Sequence, residues 1–593
     1  MSFDLGDYGA VSKHVSSLET FYSMAHAELR SVRDLYNLNF QLTVPENIES
    51  HIPSTAAGLI DHAADHIPLD MVLPRVDAIG DSPRAIKQAA LLTQLHQWFL
   101  SGIVESSIHN PLRQLMIDIF LGAAVLKVHL RDEWLTKKPS GRDEIDRWDA
   151  LRHRVFPFEV RPIDPLSILP PTELCFPHPY MIEKQIRKAE AIASDYPSWS
   201  NIKNKNALDD VEVIEVWTPD EYVVYADGSA IVGPTENPYG GIVPYIFTYS
   251  GFGRKDASGD PHHLASSLIR KVKDELRAEA RVRTAIDVLW QYHAYPRMLT
   301  PGSPQKLAQQ FAPGPGQIVG YEPRTDLADQ GKPELMVTPP PPAHLYQFLA
   351  SILSSIEFST YPRALAGGKG EGVEFGYLQG MIIGQGRLRL RPAATTARLT
   401  LKRLLSMMAE MVEKLIPDGV PVRGRVTESV EEEKIVRPSD IRGHYDVDVS
   451  VEAIDPTEND RRILLGLHPL RDGVISRRRY LQDYAKVQDP EAEEEQILTE
   501  QLLSMLFQSP EVLRLALEAA NINVQEDVIA EATSRAAEMT RSRTGASKRD
   551  MKQAGTEQPN IDQQEALVKT LQRLGAPAAT NPQQSRPEEG MEP

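Results

Sequence analysis

The sequence predicts an α+β protein, mainly helical, and three observations carry that expectation. Long stretches place apolar residues at spacings of three and four, as helices with one buried face do. A block after residue 156 is instead built of short runs rich in valine, isoleucine, tyrosine and phenylalanine, separated by prolines and turn residues. The final stretch of about 50 residues has no aromatic side chain and is rich in Gln, Pro, Ala and Glu, so it cannot bury enough surface to offset its ordering entropy. At 593 residues the chain is long enough for two or more structural regions with an ample core.

In chain order, helices are expected at 17–38, 82–101 and 110–125. Strands are expected at 211–217, 222–225 and 242–249, with Asp227-Gly228 as a hairpin turn, which makes 1–255 an N-terminal α+β region. Asp260 and Pro261 supply an N-cap and a first-turn proline, and 262–292 then runs without glycine or proline, a rod ~45 Å long. On its wheel Leu264, Leu268, Val272, Leu276, Val282, Ile286 and Leu289 share one side, while Arg270, Lys273, Arg277 and Arg281 share the other. That basic face is either a solvated or ion-paired surface or a wall that meets DNA.

Residues 295–342 form a compact proline-rich insert with β-like runs at 317–321 and 334–338, closed by Pro339 to Pro342 as a stiff spacer. A second helix follows at 343–361, then a glycine loop, and then a long helical pattern over 377–415 that Pro392 should interrupt and kink. Along it Arg387, Arg391, Arg398 and Lys402 fall within roughly 60° of one another. Short strands are expected at 420–426 and 445–453, helices from 455 to 541, and a disordered tail over 542–593. Within the tail, 562–574 has a capping-box-like pair, Asp562 and Glu565, and a stop at Gly575. It reads as a free, fraying helix or as a docking helix for a partner.

The loop Gly367-Gly368-Lys369-Gly370-Glu371-Gly372 has the look of a phosphate cradle but lacks its chemistry. A nucleotide loop needs a hydroxyl after the lysine for magnesium and a strand before it, and here Gly370 follows Lys369 and a helical segment precedes. There is no G-x-S-x-G, H-E-x-x-H or EF-hand pattern, and Gly251-Phe252-Gly253 and Gly314-Pro315-Gly316 lack the third glycine of a dinucleotide site. His262-His263 reads as helix-end polarity rather than a metal pair, and the runs Glu431 to Glu433 and Glu493 to Glu495 read as solvated faces. No catalytic residue, metal or cofactor is therefore expected.

The single cysteine, Cys175, excludes an intramolecular disulfide framework and reads as a small, partly buried residue, with a reactive thiol as the alternative. The first residues have no basic and apolar leader, and no stretch has the ~18 apolar residues of a spanning helix, so neither secretion nor a membrane partner is expected. The formal charge of −18, from 82 acidic and 64 basic side chains, disfavours static gripping of nucleic acid. Contact at a locally basic stripe remains open, because distant charges are screened beyond ~8 Å at physiological salt.

The turn Asn237-Pro238-Tyr239-Gly240-Gly241-Ile242-Val243-Pro244-Tyr245, just before the first long helix, resembles the entry to the stem in the portal proteins of tailed bacteriophages. Gly473-Val474-Ile475-Ser476-Arg477 through Tyr480-Leu481, with Asp489-Pro490-Glu491-Ala492-Glu493, resembles the helical segment after the wing. The order helix, proline-rich insert, helix, glycine loop, long kinked helix matches stem, clip, stem, tunnel loop and tunnel helix over roughly 100–510.

The resemblance implies a portal-like division: wing 1–255, first stem helix 256–294, clip 295–342, second stem helix 343–362, tunnel loop 363–376, tunnel helix 377–416, wing strands 417–454 and helical crown 455–541. It further implies a homo-oligomeric ring of about twelve subunits at one capsid vertex, within a virion assembled in the host cytoplasm. The ring would pass double-stranded DNA during packaging and ejection, and its partners would be a terminase motor, head-completion and tail adaptor proteins, and capsid and scaffolding proteins. The ATPase would reside in the motor. Candidate channel residues are then Lys369 and Glu371 in the loop, with Arg270, Lys273, Arg277, Arg281, Arg387, Arg391, Arg398 and Lys402 on the helices. The competing readings are another virion structural protein, such as an internal core or tail component, and a nucleic-acid-processing enzyme using the glycine loop.

Overall fold

The computed structural model describes residues 4–498 apart from short stretches, chiefly 43–48, 136–138, 200–204, 302–317, 322–333, 366–375, 452–455 and 488–492. The fold is mixed α+β, about half helical. It divides into two compact units, Met1–Glu458 and Asn459–Pro593.

In the first unit, α1 (Tyr8–Tyr36) starts where the Asp7 carboxylate accepts the Gly9 N–H, earlier than the sequence pattern suggests. It buries Val11, Val15, Leu18, Tyr22, Ala25, Leu29, Val32 and Leu35, one face at alternating spacings of three and four. After α2 (Thr55–Asp65) come α3 (Pro83–Glu105) and α4 (Pro111–Leu121), each opened by a side-chain cap, Ser82 or Asn110, and a first-turn proline. The expected helix over 110–125 ends early. Gly122 takes φ +131°, and the next eight residues form a strand.

Short helices α5 (Asp132–Leu135), α6 (Arg142–Arg154) and α7 (Ala189–Asp195) lie between successive strands of the same sheet. The strands are β1 (Pro74–Arg75), β2 (Ala123–Leu130), β3 (Phe158–Ile163), β4 (Ile168–Leu169), β5 (Met181–Lys188), β6 (Asp210–Trp217), β7 (Glu221–Ala226), β8 (Ser229–Glu236) and β9 (Tyr245–Tyr249). One antiparallel sheet has the order β3-β2-β9, with Val125 opposite both Ile163 and Phe247. The central position of β2 explains its near-continuous burial, which in sequence looks like more helix. A second sheet, β4-β5-β6-β7-β8, is antiparallel throughout. Its β7–β8 turn is Asp227-Gly228, both at positive φ (51° and 76°), the expected two-residue hairpin turn.

α1 joins two cores. Its first half, Val11, Val15, Leu18 and Tyr22, packs on Ile182, Ile214, Val216 and Val223 of the five-stranded sheet. Its second half lies in the main core with α2, α3, α4 and the three-stranded sheet.

The expected rod over 262–292 is not one helix. Asp260 does cap, accepting the His262 N–H, but it opens only a 3-10 turn at Pro261–His263. A second 3-10 turn spans Arg270–Val272, and α8 (Lys273–Ala294) then runs for 22 residues, ~33 Å. The intervening backbone bonds outward instead. Ser267 Oγ and Leu268 N–H both donate to the Phe120 carbonyl (2.9 and 3.0 Å), and Ser250 Oγ donates to the Ser266 carbonyl at 2.5 Å. Gly253 lies so close that a Cβ there would sit 2.3 Å from the His263 carbonyl oxygen.

α8 leads into a small sheet, β10 (Arg297–Pro301), β11 (Ile318–Tyr321) and β12 (Glu334–Met336), in the order β11-β10-β12. β10 is parallel to β11 and antiparallel to β12. The chain returns through α9 (Ala343–Ser359), which packs along α8. The Trp290 indole N–H near the end of α8 donates to Tyr346 Oη near the start of α9 at 2.6 Å, so the two helices run in opposite directions.

α10 (Gly376–Leu415) is a single helix of 40 residues, ~60 Å. The expected interruption at Pro392 does not occur, and the helix continues through it. A mid-helix proline costs about 3 kcal/mol, and burial of Leu390, Ala393, Ala397, Leu401, Leu404 and Leu405 on the same helix offsets it. β13 (Val420–Thr427) and β14 (Val430–Val436) form a hairpin that carries Glu431 to Glu433 opposite Arg425, Gly424 and Arg423. The short α11 (Pro438–Ile441) and β15 (Asp448–Val449), which pairs with β1, complete the unit. Cys175 is exposed rather than partly buried, its thiol donating to the Pro177 carbonyl at 3.6 Å.

α12 (Pro456–Arg471) leads into the second unit, where a turn at Arg477–Arg479 is capped by Ser476 and followed by one wide helical turn at Tyr480–Tyr484. Gly466 lets the Tyr484 ring lie against the helix. The rest of the expected helices to 541, the tail over 542–593 and the helix over 562–574 lie outside the described residues.

Candidate functional site

The expected channel residues fall into three groups. Lys369 and Glu371 lie outside the described residues. The second group shares one basic face on the wheel of a continuous rod, and the structure divides it. Arg270 sits in the 3-10 turn and not on the helix, so it shares no wheel with the other three. Arg270 and Lys273 both turn to Glu28 of α1, with Arg270 Nε at 3.6 Å and Lys273 Nζ at 2.8 and 3.0 Å. Glu28 is largely buried, so their charge is spent within the chain, fastening the start of α8 to α1. Arg277 and Arg281, one turn apart on α8, instead line a cleft of about 890 Å³ with Arg30 and Asp34 of α1, Asp274 and Phe40.

The third group holds together because α10 is unbroken. Arg387, Arg391, Arg398 and Lys402 all lie on this one helix, on either side of Pro392, over ~22 Å of its length. The strip is partly neutralised at one end, where Arg398 meets Asp448 at 3.8 Å and Lys402 meets Asp446 at 2.5 Å, both exposed pairs of small energetic weight. Arg391 is solvent-exposed. A neighbouring arginine that sequence reasoning missed, Arg389, points the other way and donates to the carbonyls of Phe358 and Thr360, closing the end of α9 against α10. No periodicity signals that role, because the acceptors are backbone groups 29 and 31 residues away.

The most strongly charged buried site is also not legible in the sequence. Lys127 on β2 donates to Glu183 (3.0 Å) and Glu215 (2.7 Å), Tyr245 Oη donates to Glu183 at 2.7 Å, and the Trp217 indole donates to Glu215 at 2.5 Å. Burial alone would raise the Glu215 carboxyl, but the Lys127 charge and these hydrogen bonds hold it below its ordinary value. Nearby His129 is pushed down to about 4, first by burial and then by Lys127. The cluster joins the two sheets, with Lys127, Glu183 and Glu215 all buried. Asp256 Oδ2 lies 3.2 Å from His263 Nε2, and among the described residues no group of three or more His, Cys, Asp or Glu is placed to hold a metal. Among them too, no helix is long and apolar enough to cross a membrane.

No protein-family model matches the chain, and no curated protein matches it.

Proposed function

We propose that this chain is the subunit of a portal ring, a channel through which double-stranded DNA passes at one vertex of a capsid. The observation that carries the reading is the sequence of elements after residue 272: an antiparallel helix pair, α8 and α9, joined by a small three-stranded sheet, then a 40-residue helix bearing a basic strip. In that reading the pair is the stem, the sheet is the clip that meets a terminase motor and later head-completion proteins, and residues 366–375 are the tunnel loop.

Two further features support it. The pair leaves large apolar side chains in water, with Phe348 54%, Phe358 79% and Trp290 46% exposed. A neighbouring copy would cover such surface. The charge fits passage rather than capture: about twelve chains at −18 give a ring near −200, which discourages lasting hold on phosphates while Arg391 and its neighbours make brief contacts. The chain then needs no turnover of its own. Negative-stain images of the purified protein test the proposal. Rings with a central hole are the expected result, and compact or filamentous particles without a hole contradict it.

A further inference from the structure

We propose that the cleft between α1 and α8 is a phosphate-binding site, with Arg30, Arg277 and Arg281 as its ligand-holding groups. The inference concerns one chain by itself and does not rest on the ring reading. Three solvent-exposed arginines from two helices line the same cleft of about 890 Å³, within the ~300–1,000 Å³ typical of small-ligand sites. Their charge is not spent inside the chain. Neither Arg30 nor Arg281 has a carboxylate at ion-pair distance among the described residues. Arg277 has only Asp274, at 3.9 Å, and that carboxylate is 96% exposed, so the pair is weak.

The contrast with the adjacent turn is informative. Arg270 and Lys273 share the largely buried Glu28, which is how this fold treats a cation whose task is to hold two elements together. Arg30, Arg277 and Arg281 have no such partner, and three like charges facing one cleft are mutually repulsive until an anion enters. Arginine's planar fork of donors matches two oxygens of a phosphate at once, which favours phosphate over a simple halide. Asp34 and Asp274 on the same walls leave the lining at a net +1, so the site suits one or two phosphate groups at a time, whether of a small ligand or of a short stretch of backbone. The partly buried Phe40 adds an apolar surface for a non-phosphate portion.

The phosphate has two sources with the same chemistry: a free diphosphate or nucleotide, or the backbone of a nucleic acid. Calorimetric titration of the full chain with pyrophosphate, and separately with a short DNA duplex, distinguishes them. The expected result is saturable pyrophosphate binding, weakened about tenfold or more by Arg30→Ala and by Arg281→Ala, and unchanged by Arg84→Ala on the first turn of α3 outside the cleft. Duplex binding with the same arginine dependence and no pyrophosphate binding keeps the site and assigns its phosphate to nucleic acid. Circular dichroism melting confirms that each variant is folded. Loss of neither interaction in folded Arg30→Ala and Arg281→Ala overturns the proposal. So does arginine-dependent binding of a glutamate-rich peptide without any phosphate binding, which would make the cleft a carboxylate-partner surface.

Discussion

His96 is fully buried on α3 with both ring nitrogens unpartnered, its ring edge-on to Phe99 at 5.8 Å. Burial, with His444 adding to it, drives its pKa down to about 3 from an ordinary 6.5. The folded state therefore keeps His96 neutral while the unfolded chain protonates it. Its contribution to stability is fully present above about pH 6.5 and is lost as pH falls toward 3. His129 and His178, each pushed down to about 4, act in the same direction. His96→Leu should flatten the acid limb, its stability relative to the parent improving by about 2 kcal/mol between pH 8 and pH 5 in urea unfolding. Parallel curves for the two proteins would contradict the assignment. Lys127 makes the opposite case. Lys127→Met leaves Glu183 and Glu215 buried without their cation and should cost about 3–5 kcal/mol in the same assay. Two glycines give a paired test of packing. Gly58, on α2, has open space where a Cβ would stand, so Gly58→Ala should stabilise by about 0.5–1 kcal/mol. At Gly253 a Cβ meets two backbone carbonyls at 2.3 and 2.5 Å, and Gly253→Ala should lower the melting temperature by several degrees, about 2 kcal/mol or more.

At the scale of elements, what the sequence discloses depends on whether a signal is local. Caps and turns are local. Asp7, Ser82 and Asn110 open helices, Asp260 accepts the N–H that its position demands, and Asp227-Gly228 makes the expected hairpin turn. Breaks dictated by distant partners are not legible. Residues 264–269 have good helical periodicity, yet Ser267 and Leu268 bond to Phe120, about 147 residues away in sequence, and the rod divides there. β2 resembles the tail of a helix because both its faces are covered, and α10 continues through its proline because the packing around it outweighs the lost hydrogen bond. The candidate site follows the same rule. The strip on α10 is readable from spacing alone, whereas the pairing of Arg270 and Lys273 with Glu28 needs the fold. Glu28→Gln should therefore loosen the start of α8, lowering stability by about 1–2 kcal/mol at low salt and by less in 1 M salt, read by chemical unfolding.

For the whole molecule the question is assembly. One chain with a formal charge of −18 repels its copies at long range, so association must come from short-range burial of apolar surface. In the proposed ring the exposed aromatic side chains of α8 and α9 would be covered by a neighbouring copy, so Phe348→Glu with Phe358→Glu should leave the monomer folded while removing assembly. Lys369, although outside the described residues, separates channel function from architecture: Lys369→Glu should impair DNA packaging or retention while ring formation proceeds. Native mass spectrometry of the purified full chain tests the central claim most directly. A discrete closed oligomer of about twelve copies is the expected result, and a chain that stays strictly monomeric across protein concentration and salt would contradict the proposed ring.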